Sequence, residues 1–102
     1  MSTFRIVFDD RVEYDIDEAV DYYNSKALGL GNRFYTAIKN TIVAIESTPY
    51  FQVRYNNIRC LPVKKFPYMI HFSVHPEQNL IRIRAIINCY KNPDTTWVLN
   101  EP

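Results

Sequence analysis

Basic and polar side chains recur at every second position through the last third of this chain. From Ile81 to Cys89, the apolar residues Ile81, Ile83, Ala85, Ile87 and Cys89 alternate with Arg82, Arg84, Ile86 and Asn88, and Tyr90 follows. From Lys65 to Val74, Phe66, Tyr68, Ile70, Phe72 and Val74 alternate with Lys65, Pro67, Met69, His71 and Ser73. Successive strand side chains point to opposite faces, so this spacing builds one apolar face and one cationic face. Guanidinium and ammonium groups gathered on a face bind anions or acidic partners, and a histidine among them adds a group that exchanges protons near neutrality. Arg59, Lys65, His71, Arg82, Arg84, Tyr90, Lys91 and Trp97 are the candidate target-binding residues. Each also has a plain structural reading: the arginines and His71 as solvent-facing strand residues, Tyr90 as a strand cap, Lys91 as a solubilising charge, Trp97 as a ring packed on the sheet. Clustering is what favours a working surface.

The elements that must position these groups are legible from periodicity. "HPEQN" between the two alternating segments predicts an antiparallel hairpin. Keeping both apolar stripes on one side allows the pairing Val74–Ile81, with Ser73 opposite Arg82, His71 opposite Arg84 and Lys65 near Tyr90. A bulge at Pro67 would shift the far end. "FRIVF" reads as a further strand, and "VRYNNIRCLPVKK" as another, entered by a turn at Asn56 and Asn57 and placed at an edge or bulge by Pro62. Val12, Ile16, Ala19, Val20 and Tyr23 recur at helical spacing behind the possible caps Asp9 and Asp10. Phe34, Ala37, Ile38, Thr41, Ile42 and Ile45 do the same before Pro49. Both glycines of the chain, Gly29 and Gly31, punctuate the two patterns within "LGLGN". That GxG follows a helix and has Phe34 in the third-glycine position, which argues against a nucleotide loop. The expected architecture is α+β, with an N-terminal helical hairpin packed on one face of an antiparallel sheet.

With 102 residues there is room for one domain, 1–102, and no separate catalytic module. The net charge of +1 hides an asymmetry: residues 1–50 carry eight acids and five bases, residues 51–102 three acids and seven bases. The positive field therefore belongs to the second half. No apolar run approaches a membrane span and the first residues lack a secretory core, so a cytoplasmic protein is expected. Cys60 and Cys89 have no CxxC spacing or clustered histidines, so no metal, disulfide or cofactor is expected.

Three segments, "DIDEAVDYYNSKALGLGNRFYTAIKNTIVAIESTP", "KKFPYMIHFSV" and "IRIRAIINCYKNPDTTW", together resemble toxins of the RelE/ParE superfamily from bacterial toxin–antitoxin modules, over about Phe4 to Trp97. The most specific parts are "GLGNRF", "FPY" and the A-I-I-N-x-x-K-N-P run followed by tryptophan. The resemblance implies a β-α-α-β-β-β fold and a type II toxin wrapped and neutralised by a cognate antitoxin. It also implies one of two targets: DNA gyrase, bound and poisoned by ParE-like members, or the ribosome and its mRNA, cleaved by RelE-like members. "FPY" and the helical hairpin lean towards ParE, and with it towards plasmid stabilisation and gyrase inhibition. Asn88 stands where many ParE-like sequences have histidine, and Lys91 where arginine is common.

Cleavage of RNA by its own 2′-hydroxyl needs a base, cations around the developing phosphorane and a proton donor, and no obligatory metal. By resemblance to RelE-type ribonucleases, Lys65 and Lys91 fall near catalytic arginines and Trp97 where a functional tyrosine would stand. The catalytic set of such an enzyme would come from Lys65, His71, Arg84, Tyr90 and Lys91. Lysine lacks arginine's planar fork and tryptophan lacks an ionisable hydroxyl, which favours a ParE-like toxin acting by binding. The alternatives are a RelE-like endoribonuclease and a toxin-like domain that only binds its antitoxin.

Overall fold

The computed structural model describes residues 4–90. The chain runs β1 (Arg5–Phe8), α1 (Asp10–Lys26), α2 (Leu30–Ser47), β2 (Val53–Tyr55), β3 (Ile58–Pro62), β4 (Tyr68–His75), a 3₁₀ turn at Pro76–Gln78 and β5 (Leu80–Asn88). The five strands lie in the order β1-β5-β4-β3-β2. Phe34, Ile38 and Ile45 of α2 and Val12 and Ala19 of α1 form one core with Ile70, Phe72, Ile81, Ile83 and Ile86 of the sheet. Both helices thus cover one sheet face, as their 3.6-residue apolar spacing predicts. Among the described residues no helix is long and apolar enough to cross a membrane.

The sheet is mixed, not antiparallel throughout. The meander from β2 to β5 reverses at each step, which leaves β5 pointing the same way as β1, and the two pair in parallel from Arg5–Leu80 to Phe8–Ile83. The short β2 adds a strand to the expected order. It turns into β3 through Asn56, whose φ of +48° asparagine tolerates better than most residues.

The hairpin β4–β5 begins in the expected register, with Val74 opposite Ile81 and Ser73 opposite Arg82. A bulge then intervenes, on β5 rather than at Pro67: Phe72 faces Ile83 but His71 faces Ala85, so Arg84 is the extra residue. Beyond it the parity of β5 reverses. Ile86 enters the core opposite Ile70, and Asn88 comes opposite Tyr68. The expected placement of Ala85, Ile87 and Cys89 against the helices is therefore corrected, because a single inserted residue exchanges the two faces.

The helical hairpin closes on a side-chain cap. Gly29 takes the left-handed conformation (φ +82°) immediately before α2, and the Asn24 Oδ1 of α1 accepts a 2.9 Å hydrogen bond from the Gly31 N–H, one of the unpaired donors of the first turn of α2. A Cβ on Gly31 would lie 2.5 Å from that oxygen. Helix propensity alone would make Gly31→Ala stabilising by about 1 kcal/mol. Here we expect Gly31→Ala to destabilise in urea titrations, Asn24→Ala to cost about 1 kcal/mol, and Gly31→Ala to become neutral or favourable once Asn24 is alanine.

Candidate functional site

The sheet face away from the helices holds Tyr55 of β2, Cys60 of β3, His71 and Ser73 of β4, and Arg82 and Arg84 of β5, joined by Asp9 from the β1–α1 junction. Their positions follow from strand pairing: Cys60 is opposite His71, and Ser73 opposite Arg82. Asp9 occupies the N-cap position of α1 but makes no side-chain cap. Its carboxylate instead accepts from Arg82 Nε at 2.5 Å and from Arg84 Nε at 2.8 Å. Arg84 lies 3.5 Å through Nη1 from Ser73 Oγ, which in turn meets His75 Nε2 at 2.8 Å.

Past the end of β1, α1 takes over the edge of β5. The Asp15 carboxylate accepts the Ile86 N–H at 3.0 Å and is held by Arg11, four residues earlier, at 3.2 Å. The N–H exposed beyond the bulge is thereby satisfied by a side chain.

A second group centres on His71. Tyr55 Oη lies 2.6 Å and Cys60 Sγ 3.3 Å from its Nδ1. Burial pushes Tyr55 up to about 12 and Cys60 up to about 11, so both keep their protons at neutral pH. Burial, with Arg11 and Arg54 adding repulsion, lowers His71 to about 4. The Tyr55–His71 contact thus joins two neutral groups, with donor and acceptor set by which imidazole nitrogen carries the proton.

The other candidates are dispersed. Arg59 lies on the helix side, paired with Phe72; its Nη1 donates to the Phe51 carbonyl at 2.6 Å and its guanidinium sits over the Tyr50 ring. Lys65 stands in the β3–β4 turn beside α2, with φ +72°. Tyr90 is 87 % exposed just past β5. It leaves the sheet at the same end as that turn, since Cys89 N–H donates to the Pro67 carbonyl. Lys91 and Trp97 lie outside the described residues. The structure thus brings His71, Arg82 and Arg84 onto one face and sets Arg59 and Lys65 on the other. Sequence reading placed Ser73 on this face opposite Arg82, as observed, but did not single out Asp9, Tyr55 or Cys60 for it. Asp9 was legible as a helix cap, and the Asn56–Asn57 turn was the signal that folds Tyr55 back beside β3.

No protein-family model and no curated protein matches the chain. Among solved structures, a chain of the chromosomal ParDE TA system from P. aeruginosa superposes with a TM-score of 0.72 at 15% identity, covering 86% of this chain and 98% of its own. The isolated E. coli RelE toxin superposes with a TM-score of 0.55 at 10% identity, covering 95% of both chains. The chain has the RelE/ParE fold.

Within this RelE/ParE fold the clamp around Asp9 carries a large share of the electrostatic risk. The Arg84 side chain is 8 % exposed and that of Asp9 9 %, whereas Arg82 is 42 % exposed. Removing one partner of a buried pair strands the other charge. Asp9→Asn is expected to destabilise by on the order of 3 kcal/mol in chemical denaturation, and Arg82→Ala by about 1 kcal/mol or less.

His71 gives the stability a pH dependence. Between its unfolded pKa, near 6.5, and about 4, the unfolded chain binds a proton that the folded chain refuses, so stability is full above 6.5 and falls as pH drops through this window. The wild type should lose on the order of 2–3 kcal/mol from this group between pH 7 and 4. His71→Gln should flatten that part of the urea-midpoint profile; an unchanged profile would remove His71 as its source.

Proposed function

We propose that the chain is the toxin of a type II toxin–antitoxin module, ParE-like, which poisons DNA gyrase in the cytoplasm by binding it and is neutralised by a cognate antitoxin. The observation that carries the ParE side is the likeness to the ParDE chain, at a TM-score of 0.72 against 0.55 for RelE. The chemistry of the open face supports binding over catalysis. General acid–base work is most efficient with groups titrating near the working pH. On this face His71 is lowered to about 4, while Cys60 and Tyr55 are raised to about 11 and 12. Arg84 is committed to Asp9. Such a surface presents fixed donors and shape to a partner rather than a mobile proton.

The test sets gyrase supercoiling and ribosome-programmed mRNA cleavage side by side with the purified chain. Inhibited supercoiling with intact messenger is the expected outcome, and adding the protein encoded by a short neighbouring gene should restore it. Cleaved messenger with normal supercoiling would overturn this reading for the RelE-like one. Neither effect, together with a stable complex with the neighbour's product, would leave a domain that only binds its antitoxin.

A further inference from the structure

Among the described residues β1 pairs on one side only, with β5, and so forms one edge of the sheet. The Arg5 and Asp9 N–H groups donate to the Asn79 and Ile83 carbonyls at 2.8 and 2.9 Å. Backbone groups alternate in direction along a strand, so the N–H and C=O of Ile6 and Phe8 point away from the sheet. An edge of this kind is a template for a further strand. The side chains beside it are apolar and open, with Val7 38 % and Phe8 50 % exposed.

The two ends of this edge carry opposite charges. Arg5 opens β1, and Asp10 opens α1 just past its end. Asp10 helps to line a hollow beside Val7 and Phe8, where Arg11 is already engaged by Asp15 and Asp9 by Arg82. Neither Arg5 nor Asp10 has an ion-pair partner among the described residues. A segment that reads cation, apolar run, carboxylate is complementary to a second copy of itself laid antiparallel, because each end then meets its opposite.

We propose that the β1 edge pairs with the β1 edge of a second copy of this chain, giving a two-fold dimer with one sheet continuous across both copies. With the axis at Val7, Ile6 of each copy stands opposite Phe8 of the other. Both residues turn their backbone groups outward, so this register lets each pair exchange its hydrogen bonds. Val7 meets Val7 at the axis, and Arg5 comes opposite the second copy's Asp9, within a side chain's reach of its Asp10. The contact is isologous and therefore closed: pairing uses up the edge and no filament grows from it. An edge of four residues limits its strength, so the dimer dissociates on dilution.

Sedimentation equilibrium of the full chain is expected to show monomer and dimer in exchange between about 10 μM and about 1 mM. Amide exchange locates the contact. The Ile6 and Phe8 N–H groups should exchange more slowly as concentration rises, while those of Arg5 and Asp9, already bonded to β5, should not respond. Val7→Lys sets two ammonium groups against each other at the axis and should leave a folded monomer, with its thermal midpoint as the check on folding. Arg5→Glu should weaken the dimer about tenfold, and Arg5→Glu with Asp10→Arg should restore it, since the swap keeps the ends complementary. A monomer throughout the range would overturn the proposal and leave the edge to a strand of some other protein. A dimer whose Ile6 and Phe8 amides ignore concentration, or one that survives Val7→Lys, would overturn it in favour of a different surface.

Discussion

The arrangement depends on one inserted residue, Arg84. Its bulge opposite the Phe72–His71 step sends Arg84 and Ala85 to the open face together and turns Ile86 into the core. A guanidinium so placed is almost wholly buried and must meet a carboxylate, and Asp9 supplies one. Asp9 is there because β1 ends at Phe8 in parallel register with Ile83, and its own N–H donates to the Ile83 carbonyl at 2.9 Å. Parallel pairing, the starting point of α1 and the fixed arginines of the open face are thus consequences of the same junction. Asp15 completes it by accepting the Ile86 N–H that the bulge turns outward.

Much of this architecture was legible because it is local. The apolar repeat around Val12–Tyr23 and Phe34–Ile45 identifies two helices, the glycines separate them, and "HPEQN" sets the first half of the β4–β5 register. The bulge left no such mark. Ala85, Ile86 and Ile87 are all apolar, so the stripe can change faces at Arg84 without a glycine, a proline or a break in hydropathy. For the same reason the sequence pattern put Asn88 on the cationic face, whereas it pairs with Tyr68 on the helix side. The partner of Arg84 was equally hidden, since Asp9 lies 75 residues away and carries every local sign of a helix cap.

The two sheet faces end up with different electrostatic characters. Around His71 burial widens the pH range over which three titratable groups stay neutral, and two of the neighbouring arginines share one carboxylate. That face has a fixed pattern of donors and little room to change protonation. On the helix side, Lys64 and Lys65 stand at the rim of a groove beside α2 without acidic partners among the described residues, and Arg59 is held by the Phe51 carbonyl and the Tyr50 ring. Four of the seven basic residues after residue 50 thus divide between a neutralised pair, Arg82 and Arg84, and a more open rim, Lys64 and Lys65, a division that net charge alone does not reveal.

The motifs that carry the family resemblance meet in space at a structural point. Phe34 of "GLGNRF" packs on Phe66 and Tyr68 of "FPY" with ring centroids 5.2 and 4.9 Å apart, and Tyr23 of α1 joins them at 5.0–6.1 Å. Asn88 of the last motif hydrogen-bonds Tyr68. These residues weld the helical hairpin to one end of the sheet, and nothing in that task depends on what the open face binds. The resemblance is therefore strong evidence for the architecture and weak evidence for the target. For the toxin proposed above, selectivity between targets would have to reside in side chains that the core does not recruit, and on the open face those are the partly exposed neighbours of the Asp9 clamp, with Arg82 foremost among them.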